Sequence, residues 1–306
     1  MNSKAIIECV PNFSEGTDAE KVSKIVAAMQ VPGVSLLDWS LDTAHNRSVV
    51  TIAGPADAVV ESATRGAGKA AELINLTQQN GVHPRIGSAD VIPFIPVSGA
   101  SLADCALLAR QAGLQIWRRY GIPVYLYGAA AARPDRVQLE DVRRGQFEGL
   151  RDAVRKETSR RPDVGGPELH ETAGASAVGA RSFLIAYNIH LKQPDITAAR
   201  AIARDIRASN GGLYGVKALG VLANGRAQVT MNITDYQATP MSKVYARAQE
   251  LAQRHGVQLD DSELIGLIPQ AAYDPNAEWI KRIPEFDPAQ KVIERRLERP
   301  LDWIAE

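Results

Sequence analysis

The first half of the chain alternates short apolar runs with apolar stripes of helical spacing, in the order β-α-β-β-α-β. Short runs bounded by turn residues predict strands, and apolar residues recurring every three or four positions predict helices. The predicted elements are a strand at 5–10, a helix at 18–29, strands at 34–39 and 49–53, a helix at 55–76 and a strand at 91–97.

The second half repeats this order. Its predicted elements are a strand at 183–191, a helix at 194–208, strands at 216–222 and 228–233, a helix at 240–255 and a final strand at 265–269. Two copies of a split β-α-β unit are the economical interpretation, and chance repetition is the alternative. We therefore predict an α+β fold of two ferredoxin-like subdomains, over 1–178 and 179–306, each a mixed or antiparallel sheet backed by helices.

The first half carries an addition before the second begins. A helix is predicted at 101–120 and a strand at 124–127, followed by a charged stretch at 133–161. Residues 163–180 are mostly small, and their composition favours a flexible linker, the alternative being a backbone that lies close to a ligand in a cleft. The tail at 287–299 has a helical apolar stripe and is expected to pack against the second subdomain.

Composition narrows the function classes. The 306 residues are 45% hydrophobic and 23% charged, as in ordinary globular proteins, and 35 Lys and Arg balance 35 Asp and Glu. With no overall positive charge, nucleic acid is a poor candidate for a partner. Cys9 and Cys105 form no CxxC pair, the N-terminus lacks a signal-peptide core and no apolar run could span a membrane, so we expect a soluble cytoplasmic protein.

Common catalytic motifs are missing from the sequence. The segment SATRGAGKA lacks the first Gly and the final Ser or Thr of a phosphate-binding loop, and no G-x-G-x-x-G follows a predicted strand. The five histidines show no metal-ligand spacing. We therefore expect no bound metal and no nucleotide.

His83 is the leading candidate for catalysis. It lies between a Gly and a Pro on the loop from the long helix to the strand at 91–97, with Arg85 and Asp90 close behind. A histidine beside a carboxylate and a guanidinium has the pKa control that acid-base catalysis needs. The alternative is a loop histidine that only bonds to backbone.

A second polar group lies between the predicted strands at 34–39 and 49–53. It contains Asp42, His45, Asn46 and Arg47. The simplest interpretation is a polar turn. If this turn lies near Asn12, which follows the first strand, the two segments could form one wall of a polar pocket.

Five sequence blocks together closely resemble the formiminotransferase family. They are ECVPNFSEG at 8–16, HNR at 45–47, HPRIGSADVIPFIPV at 83–97, IPVYLYG at 122–128 and VGARSFLIAYNIHL at 178–191. The blocks occur in the family's order over most of the chain. The resemblance implies transfer of a formimino group from N-formimino-L-glutamate to tetrahydrofolate in histidine degradation, by two subdomains that enclose a folate tunnel.

The resemblance also assigns residues and partners. The family's catalytic histidine corresponds to His83, and its folate-binding loop to 166–174, with Gly166, Pro167 and Gly174. Tetrahydrofolate would be a co-substrate and no metal is implied. A homodimer is expected, with a separate cyclodeaminase that uses the product.

Both implied substrates are anionic, so basic residues near loops and strand ends are candidates for binding carboxylates. The candidates for substrate binding are Asn12, Asp42, His45, Arg47, Arg85, Arg181 and Lys217, and the alternative for each cation is a solvated surface charge. Whether Asp42, Asp90 or neither orients His83 stays open. Two other functions also stay open: formyl transfer or cyclisation of 5-formyltetrahydrofolate, and non-catalytic folate binding.

Overall fold

The computed structural model describes residues 5–43, 45–79, 81, 84–223 and 225–304. The chain forms two compact units, the first made of Met1–Arg181 with Pro300–Glu306 and the second of Ser182–Arg299. The predicted domain boundary after residue 178 stays a prediction. Among the described residues, every helix is too short or too polar to cross a membrane.

The first unit is built on a seven-stranded sheet. Its strands are β1 (Ile6–Cys9), β2 (Asn12–Phe13), β3 (Ser35–Asp42), β4 (Arg47–Gly54), β5 (Ala89–Ser98), β6 (Val124–Gly128) and β7 (Ser176–Ala180). The short strands β1 and β2 follow one path, interrupted at Pro11, and both pair antiparallel with β4 and β5. Beyond β5, the strands β7 and β6 continue the sheet in parallel.

Helices cover both faces of this sheet. They are α1 (Ala19–Ala28), α2 (Ala56–Leu73), α3 (Leu102–Tyr120), α4 (Leu139–Val142) and α5 (Gln146–Lys156). Alternation along β6 separates two cores: Val124 and Leu126 pack with α1, α2 and α3, whereas Tyr125 and Tyr127 pack with α4 and α5. The charged stretch after β6 therefore covers the second face of the sheet.

The second unit is a four-stranded antiparallel sheet in the order β11-β8-β10-β9. Its strands are β8 (Ile185–Leu191), β9 (Val216–Ala223), β10 (Arg226–Ile233) and β11 (Leu259–Ile265), and its longer helices are α6 (Ile196–Ile206) and α7 (Met241–Arg254). Three short helices follow: α8 (Glu278–Lys281), α9 (Pro288–Lys291) and α10 (Ile293–Leu297). Apolar residues of α6 and α7 pack with the inward residues of the sheet in a separate core.

The predicted repetition is present in the strand order. In the first unit, β3, β4, β1 and β5 are neighbours in that sequence, and in the second unit β9, β10, β8 and β11 are arranged in the same way. Each set is backed by the helices that its loops contain. The prediction of an α+β fold with two helix-backed sheets is confirmed.

The prediction of a flexible linker at 163–180 is wrong at its C-terminal end. Strand β7 is fully buried and pairs in parallel with β5 on one side and β6 on the other. Strands of parallel sheets are buried on both faces, so a run of small residues can serve here as a strand. Its small side chains resemble those of a linker, which misled the interpretation.

Two predicted elements near the C-terminus also differ from the structure. The final strand is at Leu259–Ile265, not at 265–269, because β11 is a polar edge strand that carries acidic residues. The tail forms two short helices rather than one, separated at Val292. Val292 is buried in the second core, so the expected packing against the second subdomain is confirmed.

Candidate functional site

The turn between β3 and β4 is held by Asp42. Its carboxylate accepts a hydrogen bond from the His45 backbone N–H at 3.0 Å, and its other oxygen lies 2.7 Å from His45 Nδ1. Burial raises the pKa of Asp42, but the hydrogen bonds and charge of His45 and the charge of Arg47 together lower it below its usual value. The predicted polar turn is thus a histidine-carboxylate pair at a strand end.

This turn lies against the loop that precedes His83. Asn46 has a left-handed φ of 49°, and its side-chain oxygen accepts a hydrogen bond from Gly16 N at 2.9 Å. Gln79 Nε2 donates to the Asn46 carbonyl at 3.2 Å, and a Cβ on Gly81 would lie 2.8 Å from the His45 carbonyl. The loop therefore passes directly beside the turn two residues before His83, which itself lies outside the described residues.

Arg85 is a buried anchor. It is 7% exposed, and its Nη2 lies 2.9 Å from Glu148 Oε1 and donates to the Gln79 carbonyl at 2.9 Å. Its own carbonyl accepts a hydrogen bond from Phe147 N at 2.8 Å. The alternative of a solvated surface charge is therefore wrong for Arg85. These contacts tie the segment after His83 to α5.

Asp90 is a buried carboxylate at the start of β5. It is 2% exposed, one oxygen accepts a hydrogen bond from Ile86 N at 2.8 Å, and the other forms an ion pair with Arg143. Arg143 follows α4 and its side chain is 15% exposed. A buried carboxylate needs such a partner, because an unpaired charge is costly to keep away from water.

The charges around Asp90 also act on Arg47. Burial lowers the pKa of the Arg47 guanidinium, the carboxylates of Asp42 and Asp90 raise it, and the positive charge of Arg143 lowers it. Arg47 is therefore a half-buried cation whose environment includes both candidate carboxylates.

Tyr127 faces the same group of charges from β6. Burial raises its pKa to about 12, while the positive charges of Arg181 and Arg143 act in the opposite direction. Arg181 directly follows β7, and its backbone N–H donates to the Phe94 carbonyl at 3.2 Å. The face of the sheet that α4 and α5 cover thus brings the buried phenol of Tyr127 near charged groups. These are the guanidinium groups of Arg143 and Arg181 and the buried carboxylate of Asp90.

The segment that contains β2 lies against residues 87 and 88, which follow His83 in the chain. Ser14 Oγ donates to the Gly87 carbonyl at 2.7 Å, and Ser14 N donates to the Ser88 carbonyl at 2.9 Å. Asn12, in β2, is half-buried and its side chain donates to the Val10 carbonyl at 2.9 Å. Gly16 of the same segment donates to Asn46 of the β3–β4 turn, so the two segments are in contact, and the pocket wall that they would form stays a prediction.

The loop at 166–174 is fastened at both ends. Just before it, Asp163 forms a buried ion pair with Arg136 at 2.6 Å and accepts a hydrogen bond from Leu126 N at 2.8 Å. At its far end, Gly174 has a φ of 70° and pairs with both His170 and Gly87. A Cβ on Gly174 would lie 2.1 Å from the Ile86 carbonyl oxygen, so only glycine fits there without movement.

Comparison with known proteins identifies the family. Residues 6–181 match the formiminotransferase domain, N-terminal subdomain, and residues 186–287 match the formiminotransferase domain. The chain belongs to the formiminotransferase family.

Two relatives are named glutamate formimidoyltransferase. The protein from Streptococcus pyogenes serotype M1 is 40% identical over 295 residues, covering 95% of this chain and 98% of the relative. The protein from Thermoplasma acidophilum is 41% identical over 300 residues, covering 96% of this chain and 98% of the relative. The formimidoyltransferase-cyclodeaminase of Rattus norvegicus is 38% identical over 276 residues, which cover 87% of this chain and 51% of that protein.

The first unit of this formiminotransferase brings most of the predicted site residues together. The β3–β4 turn meets the loop before His83, and Gly174 meets the segment after it. Gly166 and Pro167 belong to the same loop as Gly174. Lys217 lies on β9 of the second unit and is exposed. The roles of all these residues in binding substrate stay predictions.

Arg143 and Glu148 were missed by the sequence reasoning. Both lie in the charged stretch at 133–161, which has the composition of a solvated surface. The signal that could have found Arg143 was Asp90, which lies inside the block at 83–97 next to an apolar run and, once buried there, needs a cationic partner somewhere in the fold.

Proposed function

We propose that this formiminotransferase moves the formimino group of N-formimino-L-glutamate to the nitrogen at position five of tetrahydrofolate, releasing L-glutamate, as a step of histidine degradation. The support is the near full-length match to two relatives that are named for this activity and whose lengths this chain covers to 98%. Tetrahydrofolate is then a co-substrate rather than a resident cofactor.

The reaction requires proton transfer at both the attacking and the departing nitrogen. The folate nitrogen attacks the formimino carbon, a tetrahedral intermediate forms, and the bond from that carbon to the glutamate nitrogen breaks. The attacking nitrogen must lose a proton, and the departing nitrogen must gain one, because an amine leaves poorly as an anion. An imidazole with a pKa near neutrality can accept the first proton and deliver the second, a contribution of about 10² to 10⁴ in rate. We assign this role to His83.

The basic residues fit anionic substrates. Formiminoglutamate carries two carboxylates and the folate tail carries more. The charges of Asp42, Arg143 and Asp90 act on Arg47, and those of Arg181 and Arg143 act on Tyr127, so three guanidinium groups lie in this part of the first unit. We assign Arg47 and Arg181 to the substrate carboxylates, because planar guanidinium groups bind carboxylates through two hydrogen bonds. Arg85 already pairs with Glu148, and we assign it to holding the loop.

One assay tests the proposal. The purified chain is mixed with tetrahydrofolate and formiminoglutamate, and the product is detected as the methenyl absorbance that forms in acid. The wild type should accumulate product. His83→Ala should lose about 10²- to 10⁴-fold in turnover, since it lacks the proton carrier. Folate affinity, measured by calorimetry, should stay close to that of the wild type.

The control is His255→Ala. His255 directly follows α7 in the second unit, and its Nε2 lies 3.7 Å from Asp205 Oδ2, so its loss should leave turnover unchanged. If the wild type forms no product, the proposed function is wrong. If His83→Ala turns over as fast as His255→Ala, the assignment of the histidine is wrong. Running the assay with a formyl donor distinguishes formyl transfer from formimino transfer.

The remaining expectations are proposals of the same kind. A homodimer follows from the family resemblance, and a cytoplasmic location from the two cysteines, which form no CxxC pair. Sedimentation of the purified chain tests the first of them.

A further inference from the structure

The stretch from α4 to α5 holds the segment after His83 at three points. Arg143 forms an ion pair with the carboxylate of Asp90. Glu148 pairs with the guanidinium of Arg85 at 2.9 Å, and Phe147 N donates to the Arg85 carbonyl at 2.8 Å. These partners are far apart along the chain, so the contacts exist only because α4 and α5 cover this face of the sheet.

Asp90 connects Arg143 to the backbone of the segment after His83. The carboxylate oxygen that does not face Arg143 accepts a hydrogen bond from Ile86 N at 2.8 Å. Ile86 is three residues after His83. Arg143, Asp90 and the Ile86 amide therefore form one continuous chain of polar contacts from α4 to the histidine loop.

The strength of this connection comes from burial. The side chains of Arg143 and Asp90 are 15% and 3% exposed. The adjacent Arg144 is 75% exposed and pairs with Asp141 three residues before it. Exposed pairs of that kind contribute little, whereas breaking a buried pair leaves an unpaired charge away from water. Two neighbouring arginines thus have opposite environments.

We propose that Arg143 is a positioning residue for the transferase reaction, acting through Asp90 on the loop that carries His83. The inference rests on the proposed function for its link to turnover. Loss of Arg143 releases Asp90 from its only ion pair among the described residues, and Asp90 then no longer holds the Ile86 amide in place. The histidine is displaced, while the groups that bind substrate are retained.

The kinetic test compares Arg143→Gln with Arg144→Gln. A displacement of about 1 Å at a catalytic group can cost on the order of 10²-fold in rate, so we expect kcat of Arg143→Gln to fall by about 10- to 100-fold. KM for both substrates should change much less, because ground-state binding is retained. Arg144→Gln should behave as the wild type. Arg143→Lys, which keeps the charge without the planar fork, should recover part of kcat.

A second measurement does not depend on activity. Hydrogen exchange of the peptide that covers 84–92 should be faster in Arg143→Gln than in Arg144→Gln, because the Ile86 amide loses its fixed acceptor. Faster exchange without any wild-type turnover would disprove the proposed function but support the contact from Arg143 through Asp90 to the Ile86 amide. Equal exchange in the two variants would disprove that Arg143 holds the Ile86 amide in place. A lower melting temperature with unchanged kcat would show a structural role only and would also overturn the inference.

Discussion

Gly174→Ala is the substitution whose cost the structure specifies best. Gly174 has a φ of 70°, and a Cβ there would lie 2.1 Å from the Ile86 carbonyl oxygen and 2.9 Å from Leu76 Cδ1. The carbonyl is backbone and cannot turn aside as a side chain could. Alanine would therefore force the end of the loop away from the segment that follows His83.

Two contributions add to the cost. A non-glycine residue in the left-handed region costs about 1–2 kcal/mol. Forcing extra volume into a packed site costs a further 1–3 kcal/mol or so. Gly121→Ala isolates the first contribution, because Gly121 has a φ of 66° and nothing lies within 4 Å of the position of its Cβ. The difference between the two variants is thus about 1–3 kcal/mol, or roughly 2–12 °C in melting temperature for a unit of this size.

Urea unfolding followed by tryptophan fluorescence measures both variants. Equal losses of stability in Gly174→Ala and Gly121→Ala would refute the steric argument. Turnover gives a second comparison under conditions where both are folded. Gly174→Ala should lose more activity than Gly121→Ala, since only the former displaces Ile86.

Two further predictions concern stability. Burial raises the pKa of Tyr127 to about 12 in the folded chain, against about 10 when unfolded. The unfolded chain thus loses this proton first, and stability should fall by about 1.4 kcal/mol per pH unit between those values. The free energy of unfolding is measured in urea at about pH 9 and about pH 11. Its fall between these pH values should be smaller for Tyr127→Phe than for the wild type, and unchanged for Tyr214→Phe, whose ring is exposed. Equal falls in the two variants would contradict the assignment to Tyr127. In the same assay, Arg136→Met should lower the free energy of unfolding by about 3–5 kcal/mol, since it leaves Asp163 buried without its ion pair. Arg133→Met removes an exposed ion pair and should lower it by about 0–1 kcal/mol. Similar losses in the two variants would contradict the role of burial.

Periodic apolar patterns predicted most of the fold because the apolar side chains of each sheet pack against helices whose own apolar stripes are visible in the sequence. The stripe of Val22, Ile25 and Val26 is buried as expected. The pattern fails where a strand lies in a different environment. Strand β7 is enclosed by parallel neighbours and needs only small residues, whereas β11 is an edge strand whose Asp261 pairs with His190 and Arg226. Neither strand has the alternation that identifies a half-buried strand.

The candidate site was predictable where its members are close in sequence. Asp42 and His45 are three residues apart, and the turn between two strands is visible in the pattern. Arg143 is 53 residues from Asp90, and Glu148 is 63 residues from Arg85. Contacts over such distances depend on which face α4 and α5 cover, and periodicity within a segment carries no information on that choice.

The two carboxylates considered for orienting His83 lie in different surroundings. Asp42 and Asp90 each accept two contacts already, and a carboxylate offers about four acceptor directions, so each could accept an imidazole N–H as well. Their burial differs, however, because the side chain of Asp42 is 38% exposed and that of Asp90 is 3% exposed. A catalytic group needs a supporting shell that packing and hydrogen bonds hold rigid. Asp90 meets that requirement through Arg143, and for this reason we expect Arg143, rather than the His45 partner of Asp42, to control turnover.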